Sequence, residues 1–191
     1  MKNNRDKAEQ ISETHLNGST NHSLIRGLNR SAYGLIGESL RFYPAQLPSF
    51  PNEPTRDRFK ISFIGDGVGE GVTSLVSVEP GEVVFGVSGF FSSEVTLFSL
   101  QIAEGLHLHD PYFYGKLLHS CDPNTYVDLE KRVFIALKPI RPGDFVTMDY
   151  ARTEDYLFRT FPCGCGAVNC RGIVAGRKQL QEMGMDSSPK Y

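Results

Sequence analysis

The stretch FPCGCGAVNCRG, from Phe161 to Gly172, arranges three cysteines, Cys163, Cys165 and Cys170, in the spacing C-x-C-x4-C. A structural zinc ion is bound by four ligands in a tetrahedron, usually thiolates and imidazoles. The three thiolates supply most of such a site, so the fourth ligand must come from another part of the chain. Gly164 and Gly166 between the cysteines favour a tight metal-binding turn over core packing.

The candidate for the fourth ligand is Cys121, in HSCDPN, because the chain has four cysteines and this is the one outside the stretch. The N-terminal residues lack the apolar core of an export signal, so we expect an intracellular protein. Disulfides are disfavoured in a reducing compartment, whereas a metal site is favoured. The alternatives are a buried, apolar Cys121 with a reduced triplet, or an iron–sulfur cluster on the four cysteines.

The overall composition is that of a globular protein and excludes few functions. Hydrophobic residues make up 40% and charged residues 22% of the 191 residues, and the net charge is -2. This balance argues against general nucleic-acid binding, for which a basic surplus is expected. No apolar run approaches the roughly 20 residues that span a bilayer, so we expect no membrane association.

The organisation along the chain predicts a β-rich domain. Residues 1–22 are polar and aperiodic, which indicates a disordered tail, and residues 23–40 are compatible with a short helix. From Phe59 onward, β-branched and aromatic runs alternate with glycine, proline and acidic residues, which predicts short strands. We therefore expect an α+β, predominantly β fold of several small sheets. The predicted boundaries are an N-terminal extension at 1–57, the β-rich domain at 58–160, the zinc segment at 161–176 and a tail at 177–191.

Four motifs along this region together resemble a SET domain, the β-rich methyltransferase fold that binds S-adenosylmethionine. They are GEGV (Gly69–Val72), LHSCDPNTYV (Leu118–Val127), KPIRPGDFVTMDY (Lys138–Tyr150) and CGCGAVNCRG (Cys163–Gly172). The chain is most similar to small, stand-alone SET proteins with a post-SET zinc motif. The resemblance implies a knot-like crossing of the chain, a C-terminal zinc segment and methylation of a lysine in a protein or peptide.

The resemblance also implies roles for individual residues. The cofactor-binding residues are Gly69, Glu70, Gly71, Leu118, His119 and Tyr150. Glycines without a Cβ let the backbone approach a cofactor closely. Tyr150 is the implied catalytic residue, because its hydroxyl can align a lysine amine with a methyl donor. His119 is expected to contribute its backbone near the adenine ring. Asn124 either stabilises the chain crossing or is an ordinary turn residue.

Two departures from the family pattern leave other functions open. Leu118 stands where the family usually has asparagine, and Met148 stands where a phenylalanine or tyrosine commonly sets the number of methyl groups. A catalytically silent SET-like binding module and a SET-fold enzyme acting on a small molecule therefore remain alternatives. A third is an iron site on HLHD (His107–Asp110) with His119, since two histidines and a carboxylate suit that metal.

The aromatic residues of the less alignable stretches also allow two interpretations. They either surround a substrate ammonium group through cation–π attraction or belong to the core. The residues concerned are Phe90, Phe91, Tyr112 and Tyr114.

Overall fold

The computed structural model describes residues 40–67 and 69–187. The predicted disordered tail at 1–22 and the short helix at 23–40 lie outside the described residues, apart from Leu40.

Short strands account for most of the regular structure in the described part of the chain. Their bounds are β1 (Phe59–Gly65), β2 (Gly69–Ser74), β3 (Val83–Gly86), β4 (Phe90–Ser92), β5 (Ser99–Ala103), β6 (Leu106–His109), β7 (Leu118–His119), β8 (Thr125–Asp128), β9 (Val133–Ala136), β10 (Thr147–Met148), β11 (Phe161–Pro162) and β12 (Ile173–Val174). The α-helix α1 covers Arg177–Glu182, and single 3₁₀ turns cover Tyr114–Lys116 and Tyr150–Arg152.

These strands pair into several small sheets. β1 and β2 form an antiparallel hairpin, and β11 and β12 form a second antiparallel pair. Two three-stranded sheets have the orders β3-β9-β8 and β4-β6-β5, and β7 pairs with β10 in parallel. The predominantly β fold of small sheets with little helix is thus confirmed.

The first hairpin shows how the local sequence determines the fold. In β1 the buried Phe59 is followed by a mixture of exposed and half-buried side chains, as expected for a strand with one face on the core. The turn that joins β1 to β2 has positive φ angles of 150° at Gly65, 88° at Gly67 and 86° at Gly69. Glycine adopts this conformation without a Cβ clash. The GEGV motif therefore begins where a tight turn ends and β2 starts.

The core is centred on four phenylalanine rings from separate elements. Phe59, Phe85, Phe113 and Phe134 are almost fully buried. Phe85 stacks on Phe134 at 4.7 Å between ring centroids, and its edge meets Phe113 at 5.0 Å. Tilted and edge-to-face pairs of this kind add stability beyond the area they bury. The cluster joins the hairpin, the β3-β9-β8 sheet and the segment that leads to β7.

The proline-rich segment before β1 packs onto this core. The Phe42 ring lies 4.8 Å from the Phe113 ring, measured between centroids. The buried Tyr43 hydroxyl donates a hydrogen bond of 2.8 Å to Asp110 Oδ2. Residues 41–50 therefore contribute buried side chains to the domain that follows them. No helix among the described residues has the length and apolar character needed to cross a bilayer.

Candidate active site and metal centre

The site is organised by the parallel pair of β7 and β10, which brings two of the motifs side by side. Leu118 pairs with Thr147 and His119 pairs with Met148. The Ser120 amide continues the pairing with a hydrogen bond of 3.0 Å to the Met148 carbonyl. LHSCDPN and TMDY are thereby fixed next to each other.

Asn124 joins the same two segments through its side chain. Its Nδ2 donates to the Phe145 carbonyl at 2.8 Å, and its Oδ1 accepts from the Thr147 amide at 2.8 Å and the Thr147 hydroxyl at 3.1 Å. Of the two interpretations of Asn124, the structure favours the one in which it stabilises the contact between crossing segments. An ordinary turn asparagine would bond to its own loop.

Tyr150 follows β10 and begins a 3₁₀ turn. Its hydroxyl donates a hydrogen bond of 2.6 Å to the Leu117 carbonyl, and its ring centroid lies 5.2 Å from that of His119. Burial is the main reason that the pKa of Tyr150 is raised above its usual value. The hydroxyl therefore stays protonated at neutral pH and points in a fixed direction.

A cavity of about 70 Å³ opens beside Tyr150. Apolar side chains form most of its wall, among them Met148, Leu157 and Phe158, and Tyr114 and Glu154 add polar groups. Of the aromatic residues considered for a cage, Tyr114 lines this cavity, whereas Phe90 and Tyr112 line a separate one. Phe91 is 62% exposed.

The GEGV motif lies against the start of β7. A Cβ placed on Gly71 would lie 2.5 Å from Ile64 Cδ1 and 3.1 Å from Leu118 Cδ1, so the backbone and these side chains are in close contact. A Cβ placed on Gly69 would have no other atom within 4 Å, so this glycine faces open space. Glu70 forms an ion pair with Lys116 at the edge of the motif. A continuous series of neighbours thus runs from Gly71 through Leu118 and His119 to Tyr150.

His119 has its side chain turned inward, with 3% of it exposed. Its Nδ1 accepts from the Tyr150 amide at 3.3 Å, so Nε2 is the nitrogen that carries hydrogen and donates to Cys121 Sγ at 3.3 Å. Burial lowers the pKa of His119 to about 4, against the opposing effect of Asp149. The imidazole is therefore neutral and connects the 3₁₀ turn at Tyr150 to the cysteines.

Asp149 and Arg171 form a buried ion pair between the start of the 3₁₀ turn and the cysteine stretch. Arg171 donates to both carboxylate oxygens, at 2.9 Å for Nη1 to Oδ2. Asp149 also caps the turn by accepting from the Ala151 amide at 3.3 Å. The side chains are 4% and 10% exposed, so the contact is well shielded from solvent.

The four cysteines converge at the C-terminal side of this site. The sulfur atoms of Cys121, Cys163, Cys165 and Cys170 all lie within 4.8 Å of one another, and the Cys121–Cys163 pair is 3.9 Å apart. A tetrahedral zinc ion with bonds of about 2.3 Å requires sulfur atoms about 3.8 Å apart. The cluster fits zinc, as the spacing predicted.

Within residues 40–67 and 69–187, the cysteines are the one group of three or more potential metal ligands that come together. The iron-site alternative on His107–Asp110 and His119 is therefore not supported. The Asp110 carboxylate instead accepts from the Tyr43 hydroxyl and from the amides of Tyr112 and Tyr114, which is a structural role.

Similarity to known proteins agrees with this geometry. The chain is 40% identical over 70 residues to histone-lysine N-methyltransferase Set2 of Drosophila melanogaster, covering 34% of the chain and 3% of that protein. It is 33% identical over 89 residues to methyltransferase flvH of Aspergillus flavus, covering 45% of the chain and 49% of that protein. The crystal structure of KRYPTONITE with mCHG DNA and SAH superimposes with a TM-score of 0.51 and 25% identity, over 61% of the chain and 29% of that chain. The chain has the fold of a SET domain. No family model matches it.

The SET-domain chain spans about half of one of these curated relatives, and a small part of the other. Both relatives are named as methyltransferases, which supports methyl transfer at the level of the family. The individual site residues predicted from the motifs stay predictions, although the structure brings them into one region.

Three residues of this SET domain were not singled out from the sequence. Asp149 and Arg171 lie inside the quoted motifs, next to Tyr150 and Cys170, but no spacing rule links the two. Glu154, in RTED, looks like an ordinary surface acid, yet it is 3% exposed. A charged residue four positions after a candidate catalytic tyrosine is a weak signal until its burial is known.

Proposed function

We propose that this SET domain transfers a methyl group from S-adenosylmethionine to the ε-amine of a lysine in a protein or peptide. The observation that carries the proposal is the Tyr150 hydroxyl, held on the Leu117 carbonyl at 2.6 Å and lining a narrow, mainly apolar cavity. Leu117 and Tyr150 both line this cavity, and a hydroxyl and a carbonyl fixed in its wall suit the alignment of an amine.

The residues beside Tyr150 fit the methyl donor. Gly69 faces open space with a positive φ of 86°, and Gly71 allows close approach of the backbone. When bound, S-adenosylmethionine supplies the electrophilic methyl group. The residues that would hold it are Gly69, Glu70, Gly71, Leu118, His119 and Tyr150.

The cavity fits an unbranched aliphatic chain with an amine at its end. Its volume of about 70 Å³ is small, and Met148, Leu157 and Phe158 give it apolar walls. A free lysine amine has a pKa of about 10.4 and arrives as ammonium, so an apolar wall also favours loss of its charge. The residues of the chain thus orient the amine and help to neutralise it.

Zinc has a structural role in this proposal. The four thiolates would bind the ion, and the hydrogen bond from the Arg171 amide to Cys121 Sγ, at 3.4 Å, would stabilise a thiolate ligand. Because Cys121 follows β7 closely, the metal would attach the C-terminal segment to the wall of the active site. Folding of this segment would then be coupled to metal binding.

The proposed substrate class is supported by the relative that is named a histone-lysine methyltransferase. The test is incubation of the purified protein with a methyl-labelled donor and three pools, namely histones, a lysate and small metabolites. Label in protein bands supports the proposal, and label in the metabolite pool supports the small-molecule alternative. Tyr150→Phe should lower the rate at least about 100-fold, while Tyr156→Phe, at an exposed hydroxyl, should leave it unchanged.

One observation favours a silent binding module as a second candidate. Leu118 presents its side chain to Gly71, at a position where the family usually has a polar asparagine. Calorimetric titration with S-adenosylmethionine separates the two candidates. Binding in the micromolar range supports the enzyme, and no heat at millimolar donor, together with no incorporation of label, supports the module.

A further inference from the structure

A buried carboxylate lines the cavity next to Tyr150. Glu154 is 3% exposed, and it is the one carboxylate among the described residues that form the cavity wall. Tyr114 and Tyr150 line the same cavity, and burial is the main cause of the raised pKa of each hydroxyl. The charge of Asp110 adds to the rise at Tyr114, and the smaller effect of the Glu154 charge acts on both. The side chains of Glu154 and the two tyrosines therefore belong to the wall of one small cavity.

The position of Glu154 is fixed by its surroundings. Its Oε1 accepts from the Gln101 amide of β5 at 2.8 Å and from the Thr153 hydroxyl at 3.0 Å. Its carbonyl accepts from the Arg177 amide at the start of α1, at 2.7 Å. In the described part of the chain Oε2 accepts no hydrogen bond. One oxygen is thus used by the fold, and the other is available.

A structural role alone does not account for an ionisable group here. A glutamine would make the same hydrogen bonds through its Oε1 without the cost of burying a charge. Burial raises the pKa of Glu154 to about 7, and the backbone and hydroxyl hydrogen bonds oppose that rise. A carboxylate tuned to this range and placed in a cavity is typical of a general base.

We propose that Glu154 binds the ammonium group of the incoming amine and accepts its proton at Oε2. This inference rests on the proposed function and assigns a further catalytic residue to it. In the step, one N–H bond breaks, its electron pair stays on the nitrogen as the lone pair, and the proton forms the O–H bond of a neutral Glu154. The amine is then a nucleophile, and the proton later leaves to solvent.

The charged groups around Glu154 are compatible with a role as a proton acceptor. Asp155 raises the pKa of Glu154, but its own carboxylate is paired with Arg177 and Lys178. Arg159 is the basic residue of the cavity wall in the described part of the chain.

The first test is the pH dependence of kcat/KM with a lysine peptide. In the wild type, kcat/KM should rise as Glu154 ionises near pH 7 and then stay level until the substrate amine titrates near 10.4. Glu154→Gln should be about 100-fold slower at pH 7.5. Because the variant needs amine that has already lost its proton, its kcat/KM should rise about tenfold per pH unit and approach the wild type by pH 10.

Asp155→Asn is the matched control for this test. Asp155 belongs to the same turn and accepts from Gln101 Nε2 at 3.2 Å, but it lies outside the cavity wall. The control should keep the level region of the wild-type profile above pH 7, without the tenfold rise per pH unit expected for Glu154→Gln. Because the Asp155 charge raises the pKa of Glu154, the acid limb of the Asp155→Asn profile should move to lower pH. A Glu154→Gln rate that stays a constant fraction of the wild-type rate at every pH would indicate a structural role and overturn the proposal.

The second test measures binding without catalysis. NMR titration with n-butylamine, a mimic of the lysine side chain, and n-butanol, its neutral counterpart, is carried out at pH 8. The wild type should prefer the ammonium at least about tenfold, and Glu154→Gln should lose that preference. Equal preference in both proteins would refute the binding part of the proposal. If no amine is methylated but the preference is present, the proposed function fails while the role of Glu154 in binding amines stands.

Discussion

The buried ion pair between Asp149 and Arg171 leads us to predict how the free energy of unfolding changes when one partner is removed. Both side chains are nearly buried, and Arg171 bonds to both carboxylate oxygens. Arg171→Ala leaves the Asp149 carboxylate in a low-dielectric environment with the cap to Ala151 as its main partner. Loss of one member of a buried pair costs about 3–5 kcal/mol, so we expect a fall of this size in the free energy of unfolding.

The assay is urea denaturation in the presence of excess zinc, with metal content measured for each variant. Arg141→Ala is the control, because its ion pair with Glu79 is more than half exposed on both sides and is worth under about 1 kcal/mol. The double variant Asp149→Asn, Arg171→Met should lower the free energy of unfolding less than Arg171→Ala does. It buries no unpaired charge, and the asparagine keeps the cap of the turn. A loss for Arg171→Ala no larger than that of the control would refute this reasoning.

Further predictions concern the glycine motif, the crossing, the core and the metal. Gly71→Ala pushes a Cβ against Leu118 and should weaken S-adenosylmethionine binding roughly tenfold by calorimetry, whereas Gly164→Ala meets no atom within 4 Å and should not. Asn124→Ala leaves the polar groups of the crossing unpaired and should lower the free energy of unfolding by about 1–3 kcal/mol. A variant as stable as the wild type would contradict the role assigned to Asn124. Phe134→Ala should lower the free energy of unfolding, measured by urea denaturation, by about 3–5 kcal/mol. A smaller loss would mean that the core collapses into the space left by the ring. Elemental analysis should find about one zinc ion per chain, and its removal by a chelator should expose the four thiols to a thiol reagent.

The sequence was most informative where local chemistry restricts the residue types. Three thiolates and Cys121 predicted a four-cysteine cluster, because few other roles use every cysteine of a chain that is expected to be intracellular. Alternating apolar runs and glycine turns predicted the small sheets. The order of motifs then predicted the family. In each case the information lies within a few adjacent residues.

The parts that could not be predicted depend on burial and on contacts between distant segments. Nothing in RTED indicates that Glu154 is covered by β5 and α1, because its partners Gln101 and Arg177 come from other parts of the chain. The pairing of Asp149 with Arg171 spans 22 positions. The aromatic residues Phe90 and Tyr114 differ in environment for the same reason, and only the packing of the sheets distinguishes them.

The four-cysteine cluster also has a consequence for biosynthesis. Its ligands extend from Cys121 to Cys170, so the ribosome must translate past the last of them before the cluster can be completed. Until then the nascent polypeptide exposes Cys121 and the groups around Tyr150 without the segment that covers them. Maturation of the region around Tyr150 is therefore a late event. If the cluster binds zinc as proposed, a limited metal supply during translation would lower the yield of folded protein before it affected molecules already assembled.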